Sequence, residues 1–452
     1  MPENTALLTD LYEFTMSECF LRYKKDTRAT FDLFVRQLPE SRAYMVFCGL
    51  QDILAYISGL KFQAQDLEYL ESLKIFSGDF LEYLSAFKFK GDVWAMAEGE
   101  VFFPGEPVIR VTASVIEAQL IESFLLNTVN LQTMIASKAS RVVAASGGKG
   151  LYDFSLRRTH GMDAGIKVAR SSYIAGFCGT SNVLAGKLYK IPVAGTMAHS
   201  FVMSFENEKE SFKAYCSVFP DRSILLVDTY STPKGIQNAV KVALELKKRG
   251  HSLQGIRLDS GDIDALSRLA RKALDEAGLN SVKIFASGNL DELKINKLVS
   301  LKAPVDNFGV GTNMGTSADA PYLDVIYKLS EVTGKTGDFL PTMKLSHGKV
   351  TYPGRKQVFR LKDKRGVYLK DVLALEKEKI KGKALLQKVI EAGEIVHGQP
   401  SLDKIREYSR TQLRGFAKPL SDIHSKYEYP VEVSAALVKL TSELKAKLSK
   451  RQ

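Results

Sequence analysis

Seven apolar runs in the middle of the chain each end in a polar or glycine-rich cluster, and these clusters hold the residues best suited to chemistry. LYD runs into Phe154, Arg157 and Arg158; CG into Thr180, Ser181 and Asn182; IPVAG into Thr196, His199 and Ser200. SILLV leads to Asp228, Thr229 and Ser231, and GIRL to Asp259, Ser260, Gly261 and Asp262, with Arg257 inside the run. VKIFA gives way to Ser287, Gly288 and Asn289, and the last cluster, FGVGTN, contains Gly309, Gly311, Thr312 and Asn313.

The residue types suggest a division of labour. Glycines at 309 and 311 with Thr312 could turn backbone N–H groups and a hydroxyl toward phosphate oxygens, or simply make a tight strand-to-helix turn. The motif is neither a Walker loop nor G-x-G-x-x-G, because Met314 stands where the last glycine would be. Asp228 and Asp259 could bind ribose hydroxyls or hold Mg²⁺ through water. Asp262, just ahead of IDALSRLA, reads as a helix cap. His199, between small residues, could serve as a nucleophile toward phosphorus or carry a proton. Arg157 and Arg158 could clamp an anion, or pair with Asp153 or Asp163. Tyr12 and Phe154 could stack on a planar ring, though aromatic residues more often fill cores.

Such residues act together only if the chain gathers them. Each middle run is followed by a helix-length amphipathic segment, the rhythm of a parallel sheet. Reactive residues just after the strands predict an α/β fold: an irregular or incomplete β/α (TIM-like) barrel whose mouth is the strand C-terminal face. An open doubly wound sheet is the competing arrangement. The expected organisation is an N-terminal α/β domain over 1–125, the barrel over 126–330, and a smaller basic strand-and-helix domain over 331–452 that packs on the first. Asp10 and Glu13 are spaced as a helix-capping pair. KEKIKGKALLQKVIEAGE (377–394) reads as a solvated helix.

Composition narrows the classes. The net charge of +12 is uneven: residues 341–452 carry about +13 and the preceding 340 about −1. The basic residues there alternate with acids and lack interleaved aromatics, which argues against a nucleic-acid groove. No apolar run is long enough to span a membrane, and the acidic start MPENTALLTDLYEF does not read as a signal peptide. Cys19, Cys48, Cys178 and Cys216 are scattered, with no C-x-x-C pair, as expected of a cytoplasmic protein. None of the seven clusters has a lysine at its turn, which counts against a barrel aldolase.

The ordered blocks TDLYEFTM (9–16), AEGEVFFPGEP (97–107), LRRTHGMDAG (156–165), GTSNVLAG (179–186), GTMAHSF (195–201), VDTYST (227–232), IRLDSGD (256–262) and FGVGTN (308–313) resemble the nicotinate phosphoribosyltransferase family. That resemblance implies transfer of a phosphoribosyl group from 5-phosphoribosyl 1-pyrophosphate (PRPP) to nicotinate, coupled to ATP hydrolysis through a phosphohistidine, in NAD salvage. It implies His199 as the phosphorylated residue, with Asp228 and Asp259 on the ribose and Mg²⁺ side. Tyr12, Phe154, Arg157, Thr196, Arg257 and Ser260 would meet substrate, and Gly288, Asn289, Gly309, Gly311 and Thr312 the 5-phosphate. Mg²⁺ would be held mainly by pyrophosphate and water. A homodimer with shared sites is implied, Tyr12 reaching into the partner's site. Neutral residues at Thr180, Ser181 and Asn182 favour the acid over nicotinamide, because a carboxylate there would repel it. Past residue 331 no motif carries the resemblance.

Overall fold

The computed structural model describes residues 5–345, 351–396, 398–417, 420, 422–425 and 427–450; the first four residues of the acidic start lie outside these. The chain forms two compact units. One comprises 1–137, 322–421 and 425–452, the other 138–321 and 422–424. N- and C-terminal segments therefore share a unit.

The second unit is built on six parallel strands. In sheet order they are Gly179–Thr180, Gly150–Asp153, Asn307–Val310, Lys283–Ala286, Gly255–Leu258 and Ile224–Leu226. The first of these strands in the chain pairs with the last, Gly309 opposite Tyr152, so the order is cyclic rather than reversed about a switch point. A bridge between Thr180 and Val193 extends the sheet at one end. No pairing joins that end to Ile224–Leu226 among the described residues. One face of this sheet is apolar and closed, with Leu225, Ile256, Leu258, Ile284 and Phe308 fully enclosed in register, while Arg257, Lys283 and Asn307 stand at the alternate positions. Amphipathic helices follow them, among them Thr232–Lys248, Ile263–Glu276 and Glu292–Ser300. Asp262 caps the second of these, accepting from the N–H groups of Asp264 and Ala265.

The first unit has a seven-stranded sheet in which Arg28–Val35 lies between Val325–Thr333 and Pro107–Ser114, all antiparallel. Ala29, Phe31, Leu33 and Val35 alternate on one face as expected. The opposite face is buried too, and there Thr30 bonds Thr112 (2.9 Å) and Glu331 (2.9 Å). A four-stranded sheet, Lys383–Ala384, Lys356–Lys362, Tyr368–Leu375 and Val431–Val433, contains much of the C-terminal segment.

Two expectations are corrected here. The span 377–394 is not a helix; it contains the strands Lys383–Ala384 and Gln387–Glu391. The second strand pairs antiparallel with Asp92–Ala95 and buries Ile390, while Ala392 and Gly393, both at positive φ, turn it back to Glu394–Ile395. Tertiary pairing and a left-handed turn outweigh a helical charge rhythm. Asp10 is the N-cap of helix Leu11–Tyr23 by position, but its side chain makes no cap bond. Its carboxylate accepts from the Ser123 hydroxyl (2.6 Å), and the Glu13 carboxylate accepts from the Gln119 amide (2.7 Å), so the capping pair is drawn into contacts with the helical segment after Ser114.

Candidate functional site

The parallel strands bring the sequence clusters to one rim of the second unit. In-register pairing puts Arg257 beside Phe285 and Leu226, and Val310 beside Asp153, so the residues just after these strands emerge at the same end. Hydrogen bonds tie neighbouring turns together. Asp228 Oδ2 accepts from the Asp259 N–H (3.0 Å) and the Ser260 hydroxyl (2.7 Å). The Ser287 hydroxyl donates to Asp259 Oδ1. Asn313 donates its side-chain amide to Asn289 Oδ1 (3.0 Å), linking the last two turns.

His199 begins a short helix, His199–Met203, and its Nδ1 lies 3.1 Å from the Thr229 hydroxyl. Its Nε2 is 4.0 Å from Asp259 Oδ2. Arg257 donates through Nη1 to Thr196 and lies 3.9 Å from Asp259. Burial lowers the affinity of that guanidinium for its proton; Asp259 and Asp228 oppose the shift, and the Arg157 charge adds to it. Arg157 and Arg257 therefore share one electrostatic neighbourhood with two carboxylates. Arg157 makes no ion pair with Asp153 or Asp163, and neither it nor Arg257 Nε has a hydrogen-bond partner among the described residues.

The glycines separate by role. Gly309 lies within strand Asn307–Val310, and a Cβ there would strike the Phe154 ring at 2.4 Å. Its bare α-carbon thus makes room for that ring. Gly288, at φ +87°, passes so close to the Asp259 carbonyl that a side chain would collide with it. Gly311 and Thr312 open the turn Thr312–Gly315.

Several neighbours carried no clear signal in the sequence. Asp153, almost fully enclosed, accepts from the Ser155 N–H (2.9 Å), the Ser155 hydroxyl and the Thr180 hydroxyl (2.8 Å). Burial raises its pKa, against those three bonds. Thr180 in turn accepts from the Asn182 N–H (3.0 Å), so the GTSN turn hangs from a buried carboxylate. Glu208, buried at the start of helix Glu208–Val218, bonds Asn238 (3.0 Å); burial raises its pKa, with Asp228 contributing to the rise. Lys294 reaches the Asn289 carbonyl (2.7 Å) from the helix after the sixth turn. The sequence could have yielded that lysine, one helical turn beyond the cluster.

In the first unit Tyr12 stands on helix Leu11–Tyr23 with nearly half its surface exposed. Its phenol is raised by partial burial, then by Glu122 and Glu13. Beneath it the Gln119 amide donates to both Glu13 (2.7 Å) and Glu122 (2.6 Å).

A parallel α/β unit with two arginines, two aspartates, a histidine and close-turned glycines at one strand-end rim defines an enzyme that handles anionic, phosphate-bearing substrates. Comparisons with known proteins narrow that class. Three family descriptions match in order: the nicotinate phosphoribosyltransferase N-terminal domain over 7–130, the nicotinate phosphoribosyltransferase family over 150–338 and the C-terminal domain over 380–441. The protein named nicotinate phosphoribosyltransferase pncB2 of Mycobacterium tuberculosis is 45% identical over 435 residues, covering 96% of this chain and 92% of its own. The nicotinate phosphoribosyltransferase of Bacillus subtilis is 39% identical over 460 residues, with 96% and 93% covered. The crystal structure of human nicotinic acid phosphoribosyltransferase superposes with a TM-score of 0.87 at 29% identity, over 96% of this chain and 99% of that one. This chain belongs to the nicotinate phosphoribosyltransferase family and is an enzyme of that family. The match to a C-terminal domain extends the likeness into a region where the sequence blocks were silent.

Proposed function

We propose that this enzyme joins nicotinate to PRPP, releasing nicotinate mononucleotide and pyrophosphate, with ATP hydrolysis coupled through phosphorylation of His199. The observation that carries this reading is the meeting of Arg157, Arg257, Asp228, Asp259 and His199 on one rim. The two guanidinium groups supply positive charge for an anionic substrate. Phe154, packed against Gly309, offers an aromatic ring for the pyridine to stack on. Thr180, Ser181 and Asn182 add no carboxylate of their own, and Asp153 is occupied by its three donors, which suits an acid rather than an amide.

Displacement at an anomeric carbon develops positive charge on the ribose, and Asp228 and Asp259 tolerate it, held in place by Ser260 and Ser287. The ring nitrogen of nicotinate is the nucleophile, so the protein's contribution is alignment. Gly288, Asn289, Gly309, Gly311 and Thr312, at or beside the last two strand-end turns, would meet the 5-phosphate, with Gly309 also making room for Phe154. Thr229 holds His199 through Nδ1, leaving Nε2 toward Asp259.

The residues fit Mg²⁺ as an ion bound largely by substrate. Asp228 Oδ1 has no partner, yet no cluster of three or more acids, histidines or cysteines forms a metal cage among the described residues; an ion that keeps waters and uses one or two carboxylates matches that set. Bound there, Mg²⁺ would neutralise the pyrophosphate leaving group.

The finer reading of the fold, an incomplete β/α barrel open beside Val193, rests on the cyclic strand order. A homodimer in which Tyr12 completes the partner's site is consistent with that residue's exposure. No described helix is long and apolar enough to cross a membrane, which suits a cytoplasmic enzyme of NAD salvage.

Product formation from nicotinate, PRPP and Mg²⁺, with and without ATP, tests the proposal. We expect nicotinate mononucleotide, more of it with ATP, and His199→Ala to abolish the ATP stimulation while sparing slow transfer. Turnover of nicotinamide alone would refute the choice of acid; unchanged ATP coupling in His199→Ala would remove that residue from the coupling step.

A further inference from the structure

A second polar site lies within the first unit, in a cavity of about 140 Å³ beside strand Arg28–Val35. Its lining includes Asp32, Arg36, Lys328, Thr351 and Lys356, with Phe34 among the apolar walls. Asp32 and Lys356 form a buried ion pair (2.8 Å), both side chains at most 5% exposed. Lys356 gives its other two protons to the carbonyls of Tyr352 (2.6 Å) and Gly354 (2.6 Å), so its ammonium is fully spent. Arg36 is paired with Asp324 (3.2 Å).

What remains is unspent and points one way. Asp32 Oδ1 and the Thr351 hydroxyl have no hydrogen-bond partner among the described residues, although Asp32 is only 2% and Thr351 only 6% exposed. Lys328 stands directly across from Asp32 in the antiparallel register, on the same face of the sheet. It has no direct ion-pair partner among the described residues, although its charge acts on Glu122. Leaving a buried carboxylate oxygen and a hydroxyl empty costs free energy, and the cavity is well below the roughly 300–1,000 Å³ that holds a nucleotide or similar ligand.

We propose that this cavity binds a small oxyanion that retains a proton, of the hydrogenphosphate type. Lys328 and the Thr351 hydroxyl donate to its oxygens. Its own O–H donates to Asp32 Oδ1, where a fully deprotonated anion would meet repulsion.

Arsenate, which keeps a proton near neutral pH, and selenate, which does not, separate these cases. In crystals of the full-length protein soaked in each, we expect anomalous arsenic density within hydrogen-bond reach of Asp32 and Thr351, and no selenium there. Thr351→Val, a mild change, should raise the arsenate concentration needed for half occupancy roughly fivefold, the worth of one hydrogen bond. Asp32→Asn should admit selenate, because the amide can donate. Water alone in the cavity, selenate bound as readily as arsenate, or Thr351→Val without effect would each overturn the proposal. If Asp32→Asn does not fold, the two anions and Thr351→Val still decide it.

Discussion

Two arginine-centred regions use the same side chains to opposite ends. In the first unit Arg360, wholly buried, spends every direction of its guanidinium. Nε and Nη2 grip Asp371 (2.9 Å from Nε to Oδ1), Nη1 meets Glu100 (2.6 Å), and Nη2 also reaches the Val101 carbonyl (2.7 Å). The rings of Phe103, Tyr368 and Phe416 pack around it. At the rim of the second unit, among the described residues, Arg257 keeps Nε unpaired, Asp228 keeps Oδ1 unpaired, and Arg157 holds no carboxylate. A charge network closed on itself holds chain segments together: Arg360 ties the 97–107 block to the C-terminal strands. A network left open has capacity for something outside the protein. The AEGEVFFPGEP block, prominent in the sequence, therefore has a structural part. Its Glu100 and Glu106 face Arg360 and Asp371, and burial, then Asp371, raises the Glu106 carboxyl well above its ordinary range.

Arg360→Met should break the closed network most severely. It strands Asp371 and Glu100 without their cation, a loss of roughly 3–5 kcal/mol of unfolding free energy, visible as a lower urea midpoint. Retention of wild-type stability would show that the network is not structural. Arg257→Lys attacks the open one. A lysine lacks the planar fork, so kcat/KM for nicotinate and PRPP should fall roughly 10- to 100-fold while the thermal midpoint barely moves. Equal losses of activity and stability would erase the distinction between the regions.

The smallest effect concerns Glu13, whose carboxyl is pushed up to about 7, first by burial, against the Gln119 bond and with help from Glu122. A raised folded-state pKa means the folded protein binds that proton more tightly than the unfolded chain. The resulting stability is complete below the ordinary glutamate range of about 4.3 and is lost as pH rises through about 7. Moving from about pH 5 to about pH 8 should therefore cost about 1–2 kcal/mol after allowance for solvent screening, and Glu13→Gln should flatten that slope. Identical pH slopes in the two proteins would sink this account.

The strands, the helices between them and the rim were legible because parallel strands announce themselves. Apolar runs alternate with helical segments, and turns place polar residues after each strand. His199, Asp228, Asp259 and Arg257 could be selected on that basis, and hydrogen bonds and close approaches now link their turns. Side-chain chemistry alone also showed Asp262 as a cap, since a cap is a local contact within one helical turn. The 377–394 segment departs from its helical pattern for the opposite reason: whether a short amphipathic stretch pairs as a strand depends on the edge it meets, here Asp92–Ala95, nearly 300 residues earlier.

What the sequence determined by itself was the order and kind of the parallel-strand elements and the identity of the groups at their ends, because period and turn chemistry are short-range properties. What only tertiary structure decided was which of those groups are already spent. Asp153 and Glu208 look like any acids in the chain, yet burial and partners set one under the Thr180 turn and the other near Asp228. Gly309 reads as a phosphate glycine, and only the fold shows that the Phe154 ring also lies against it. Hydrogen-bond satisfaction is a property of neighbours brought from far along the chain, and no local pattern encodes it.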